Sequence, residues 1–167
     1  MFIKMKKSEM YVDFLIGDLE YFIFSNREKM NKLLESNSPP SYESSIEILE
    51  KFATGLAKTN QLINHLEEVE DYERIRNIFI VSSESLAWIL FTLPSIAEQI
   101  PIFTEELNIE GQHLLDLIGN NLLQIEMFID NPKSSRYLNA DIKKGINDIA
   151  MTIGHITKML KKGSLEN

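Results

Sequence analysis

The chain has 167 residues, no cysteine, a hydrophobic fraction of 44%, a charged fraction of 25% and a formal net charge of −8. This is the composition of a globular protein with one core, and it excludes disulfides, thiolate metal ligands and a cysteine nucleophile. The acidic balance argues against a nucleic-acid binder acting through its overall field, because phosphate contacts draw on Lys and Arg.

The amino terminus, Met1 to Lys7, is basic, but Glu9, Asp13 and Asp18 come soon after it, so no apolar leader core is expected. The chain is therefore read as cytoplasmic, with residues 1–7 and 163–167 as flexible ends. Helix A is expected from Ser8 to Leu34, with a stripe of Tyr11, Leu15, Leu19, Phe22, Met30 and Leu33 at mostly three- and four-residue steps. Glu9 and Asp13 at its start and Lys29 and Lys32 near its end complement the helix dipole. Pro39-Pro40 cannot continue a helix, and the serines around them can cap the next one.

Helix B is expected to run to Glu68 on Ile46, Leu49, Ala53, Leu56, Ile63 and Leu66. No Gly or Pro separates it from the next apolar segment. A single helix from Ser41 to Leu93 would nonetheless be about 80 Å long at 1.5 Å per residue, too long for a compact domain. A tight turn is placed near Asp71. Helix C, Tyr72 to Leu93, carries Ile75, Ile78, Phe79, Ile80, Leu86, Ala87, Trp88, Ile89, Leu90, Phe91 and Leu93 around most of its circumference and is expected to be central. Its apolar run is shorter than a spanning segment needs to be and carries Glu84 near the middle, so a core helix is preferred to a membrane span.

Pro94 is expected to end or kink helix C, and Ser95-Ile96-Ala97-Glu98 has capping-box spacing for a short connecting helix. Helix D should begin after Thr104 or Gly111 and end before Asn131-Pro132, with Leu107, Leu114, Ile118, Leu122, Ile125 and Ile129 as its stripe. Helix E, Ala140 to Lys162, has a heptad seam: Ile142, Ile146, Ile149, Ile153, Ile156 and Leu160, flanked by Gly145, Ala150 and Gly154. The fold class is all-α: an antiparallel bundle of four to five long helices in one domain spanning 1–167. The seam serves either packing inside that bundle or a homodimer interface.

Each candidate chemistry lacks a required part. Glu110 and His113 have the Glu-x-x-His spacing of carboxylate-bridged di-iron bundles, and Asp116 and Asn120 continue that side, but the architecture needs a second such motif and two more inward glutamates. A solvated polar face is the plainer reading. His155 and Lys158 loosely match a histidine phosphotransfer site, but Met159 stands where a small residue is expected. His65, beside Glu68, is a structural histidine by default.

The acidic run Glu67, Glu68, Glu70 and Asp71 could offer carboxylates to Mg²⁺, as in all-helical nucleotide pyrophosphohydrolases, which Leu122 to Ile125 faintly resembles. No Glu-x-x-Asp pair in helix D or E completes that site. Glu84 is either half buried, with a raised pKa, or on the exposed edge of helix C. Helix E, with Lys143, Lys144, Lys158, Lys161 and Lys162, could dock an acidic surface. No catalytic residue and no cofactor is assigned. The reading is a non-enzymatic interaction or regulatory module, a homodimer or the partner of another helical protein, with no nucleic acid or membrane. The alternative is a metal-binding or metal-dependent enzyme on Glu110, His113 and Asp116.

Overall fold

Ser41, one of the serines beside the two prolines, caps the second helix. It adopts an extended conformation (φ −64°, ψ 165°), and its Oγ accepts the Ser44 N–H at 3.1 Å. That satisfies one of the orphan donors at a helix start. The computed structural model describes residues 6–35, 41–97, 109–129 and 140–166. Among these it forms five α-helices and one 3₁₀ turn: α1 (Lys7–Glu35), α2 (Tyr42–Asn64), the turn (Leu66–Glu68), α3 (Tyr72–Ala97), α4 (Ile109–Ile129) and α5 (Ala140–Glu166). The all-α bundle expected from the periodicity is the fold. Lys7 and residues 163–166, expected to be loose ends, belong to α1 and α5.

The reversal between α2 and α3 uses neither Gly nor Pro. The His65 N–H closes a tight bond to the Leu62 carbonyl at 3.1 Å, the 3₁₀ turn comes next, and Val69 is extended (φ −107°, ψ 126°). No described non-glycine residue adopts a positive φ. Tightening the last turn to 3₁₀ geometry and then extending one residue is enough to turn the chain. Burying Val69 and Leu66 completely fixes that corner. Helix α2 thus ends at Asn64, before the expected Glu68.

Pro94 does not end α3. The helix runs on through Ser95 and Ile96 to Ala97, so those residues do not open a separate connecting helix. A proline so near the carboxyl end forfeits one backbone bond, to the Leu90 carbonyl, and few further bonds depend on the turn it disrupts. The rest of that connection, including Glu98 and Pro101, lies outside the described residues, as does the 130–139 loop.

Helices α2, α3, α5 and α4 form a ring in which each packs on its two neighbours, and α1 lies outside it across the α2–α3 pair. Direction is read from contacts. Tyr11 of α1 meets Gln61 near the end of α2, whereas Asp13 meets Arg74 near the start of α3. Helix α1 therefore runs antiparallel to α2 and parallel to α3. Helix α2 is at least as central as α3: Ile46, Leu49, Ala53, Leu56, Ile63 and, beyond its end, Leu66 are all buried. Helix α3, expected to be buried nearly all round, leaves Ile80 and Phe91 exposed because no described helix covers that side. Tyr72–Leu93 is long and apolar enough to cross a membrane by length and composition, but Ile75, Ile78, Val81, Leu86, Ile89 and Leu93 lie in the bundle core.

A polar layer crosses this core. The Thr59 hydroxyl lies 2.8 Å from the Gly55 carbonyl and 2.9 Å from the Ser85 Oγ. Asn60 Nδ2 donates to Asn121 Oδ1 at 3.4 Å and to Gln124 Oε1, tying α2 to α4. Ser82 Oγ and Asn60 Oδ1 are buried without a partner among the described residues. Leaving a hydroxyl unpaired in a core costs roughly 1–3 kcal/mol.

Two substitutions separate packing from polarity. Leu56→Ala, at a fully buried position, is expected to lower unfolding free energy by about 2–5 kcal/mol in urea titration. Ser82→Ala removes the unpaired hydroxyl at almost constant volume and is expected to leave stability unchanged or raise it by about 1 kcal/mol. A large loss there would mean that Ser82 has a bonding partner.

Candidate interaction surface

Helix α1 is apolar on two opposite sides. Val12, Leu15, Leu19, Ile23 and Met30 are buried against α2 and α3. At 100° per residue, Met10, Phe14, Tyr21 and Phe24 fall about half a turn away, with Gly17 among them. Their exposures are 58%, 64%, 72% and 77%. A helix apolar on both sides is normally central in its structure. Here one side packs on the bundle and the other faces solvent.

Polar clasps on its flanks hold α1 in this rotation. Arg74 of α3 donates to both carboxylate oxygens of Asp13, at 2.9 and 3.1 Å, and also to Asp71 at 3.2 Å, with Glu9 at 4.0 Å. The Asp13 hydrogen bonds hold the Arg74 guanidinium above its ordinary pKa, against the opposing effect of burial, and the charges of Asp13, Glu9 and Asp71 add to the rise. A raised folded-state value contributes stability below the unfolded value and loses it only as pH climbs past it. On the arginine side, this clasp persists through the whole working range. On the other flank, Lys58 of α2 pairs with Asp18 and sits 5.8 Å over the Phe22 ring.

The amino end is closed by a third cluster. Gln61 donates to the Tyr11 hydroxyl at 2.9 Å, the Tyr11 ring meets His65 edge-on at 5.1 Å, and His65 Nδ1 lies 2.9 Å from Glu68. Tyr11, expected within the core stripe, therefore sits at its rim, and the buried positions are Val12 and Ile23 instead. The acidic run is engaged rather than open: Glu68 with His65, Glu70 with Lys6 at 3.8 Å and Asp71 with Arg74.

Beside the outward face, α1 and α3 flank a groove of about 430 Å³ lined by Ile23, Arg27, Asn31, Glu84, Trp88 and Phe91, among others. Trp88 is buried in its floor, with Phe52 and Phe22 edge-on to it at 5.5 and 6.3 Å. Glu84 is exposed at the groove, which is the edge reading of helix C, and no ion pair joins it to Arg27.

The remaining sequence candidates are dispersed. His113 and Asp116 stand on the exposed side of α4, as does Asn120; the Glu110 side chain lies outside the described residues. No group of three or more His, Asp or Glu that could hold a metal occurs among the described residues. His155 and Lys158 are exposed on α5. In the α5 seam Ile149, Ile153 and Ile156 are buried and Ile146 half-buried, facing α3 and α4, so these side chains are used within the chain. The side chains of Ile142 and Leu160 lie outside the described residues. Gly145 comes close to Phe79, 3.7 Å from a would-be Cβ to the Phe79 Cβ, whereas Gly154 faces open space and Ala150 is exposed.

The outward stripe of α1 has a signal in the sequence. Positions 10, 14, 17, 21 and 24 have the same 4-3-4-3 spacing as the helix E seam, hidden because Gly17 interrupts the apolar run.

A protein family described as "Uncharacterized protein" matches this chain over residues 11–167. A curated "Uncharacterized protein" from Aquifex aeolicus (strain VF5) is 27% identical over 127 residues, covering 73% of this chain and 77% of that protein. No solved structure matches the chain.

Arg74→Met is expected to lower unfolding free energy by about 1–2 kcal/mol, the scale of a partly exposed charge-assisted pair. The loss should shrink in about 1 M salt, where the Debye length falls to roughly 3 Å. A salt-independent loss would instead assign Arg74 to packing.

Proposed function

The chain belongs to that family of uncharacterised proteins, and for it we propose a non-enzymatic role as an interaction or regulatory module whose contact surface is the outward face of α1. The observation that carries this is the second apolar side of that helix, with Phe14, Tyr21 and Phe24 mostly in solvent. Contiguous apolar surface rimmed by charge marks a place where another macromolecule sits. Aromatic side chains are the ones that carry contact energy at such surfaces. Lys6, Lys7, Asp13, Glu20 and Arg27 supply the charged rim here.

The helix is held by ion pairs and core packing that do not involve this face, so the face is free to bind without reorganising the bundle. Surfaces of that kind lose little affinity to ordering costs. The buried interior, whose polar groups mostly find partners either in their own helix or on a neighbouring one, gives the bundle a rigid platform.

The double variant Phe14→Lys/Phe24→Lys tests this. Its melting temperature and circular dichroism should match wild type, because exposed positions away from special features cost within about 0.5 kcal/mol. Retention on a hydrophobic-interaction column should fall clearly. Unchanged retention, or a collapsed melting temperature, would overturn the reading.

A further inference from the structure

We propose that the occupant of the α1 face is a second copy of this chain, docked by its own α1 in antiparallel orientation. This rests on the reading of that face as the contact surface. Along the face, Met10, Phe14, Gly17, Tyr21, Phe24 and Glu28 keep a 4-3-4-3-4 heptad rhythm. In an antiparallel pair such a rhythm sets alternate seam positions opposite one another. Phe14 then stacks in a layer with Phe24 of the second copy, and Tyr21 falls opposite Gly17, each layer occurring twice through the two-fold axis.

Size matching supports this pairing. A Cβ built on Gly17 meets nothing within 4 Å, so the glycine leaves a shallow seat on the outer surface of its own chain. A tyrosine ring, 72% exposed and one turn away, is the side chain that seat receives. A parallel pair would instead set Gly17 on Gly17 and Tyr21 on Tyr21, leaving a void beside a clash.

Charge points the same way at the flanks. Antiparallel docking brings Arg27, which makes no ion pair in its own chain among the described residues, towards Asp13 of the second copy, whose carboxylate also holds Arg74 there. Two residues dissent: Glu20, exposed on the same flank, falls near the axis and meets its own copy, and Glu28, at the end of the seam, falls opposite Met10.

Four large side chains more than half exposed offer on the order of 500 Å² per copy, given roughly 150–250 Å² for a whole aromatic residue. The pair then buries on the order of 1,000 Å², the lower edge for a specific interface, which fits a reversible dimer rather than a permanent one. The copies join through a helix outside the four-helix ring, and neither core opens.

Light scattering across concentration tests the proposal. The mass should rise from 19.3 kDa per chain towards twice that value between roughly 1 and 500 µM. Phe14→Lys/Phe24→Lys should stay monomeric throughout, and Glu20→Gln should tighten the dimer several-fold by removing the axial repulsion. Because the chain has no cysteine, single cysteines report orientation cleanly. Glu20→Cys should form a disulfide-linked dimer on mild oxidation and Met10→Cys should not; the reverse would establish a parallel pair and overturn the proposal. A wild type monomeric at every concentration also overturns it. If the chromatographic difference between wild type and the double variant survives that result, the apolar surface stands without a second copy as its occupant. If the difference is absent too, the surface reading falls with it.

Discussion

The close approach at Gly55 is the constraint on which the arrangement of this molecule turns. A Cβ at that position would come 3.1 Å from the Phe22 Cε1, tighter than nine in ten real Cβ contacts, so the ring would have to give way. The missing side chain lets the Phe22 ring of α1 press against the α2 backbone and reach Trp88 of α3 edge-on. Phe52, one turn before Gly55, meets the same indole at 5.5 Å. Three helices therefore share one aromatic junction. Edge-to-face pairs at these distances add roughly 0.5–1.5 kcal/mol each beyond area burial, but their larger consequence is angular. Once Phe22 is seated, α1 has one rotation about its axis, and that rotation decides which side chains go inward.

The ion pairs of α1 are consistent with that rotation and do not cause it. Asp13 reaches Arg74 on one flank and Asp18 reaches Lys58 on the other, and each residue stands at the border between the inner and outer faces. Partly exposed pairs are individually weak. Placed on both flanks of a helix already seated by its core, they resist rolling in either direction. A roll large enough to bury Phe14 or Tyr21 would break one clasp and unseat Phe22. The outward apolar face is therefore a consequence of packing inside, not a loose arrangement of the surface.

Sequence periodicity was sufficient for the helices because strong three- and four-residue spacing survives any tertiary arrangement. It placed the turn near Asp71, and one of the serines expected to cap the second helix, Ser41, does so. It failed where one residue does two jobs. Tyr11 counts as apolar in a stripe, yet its hydroxyl needs the Gln61 amide at the rim, so Val12 takes the core position. Pro94 reads as a stop, but a proline close to a helix end removes little. Trp88 and Phe91 read alike in an apolar run, whereas Trp88 is buried in the floor of the groove and Phe91 is exposed at its edge. The candidate surface stayed hidden for a related reason. Two apolar faces on one helix blur into a pattern with no clear polar side, and only the position of α2 and α3 shows which face is spare.

The two heptad seams differ in composition as well as in burial. That of α5 is cleaner in sequence, isoleucine at every position but the last, and its buried members lie against α3 and α4. That of α1 is broken by a glycine and built of aromatics and methionine. β-Branched residues have few rotamers and suit a fixed interior seam, where the partner is always present. Aromatic and methionine side chains present large area to a partner that comes and goes, at modest cost in ordering. A regular aliphatic seam is thus the mark of a contact made once, on folding, and an irregular aromatic one beside a small residue suits a contact made repeatedly. On that criterion the outward face of α1, rather than the isoleucine seam, is the better candidate for the place where this bundle meets other molecules.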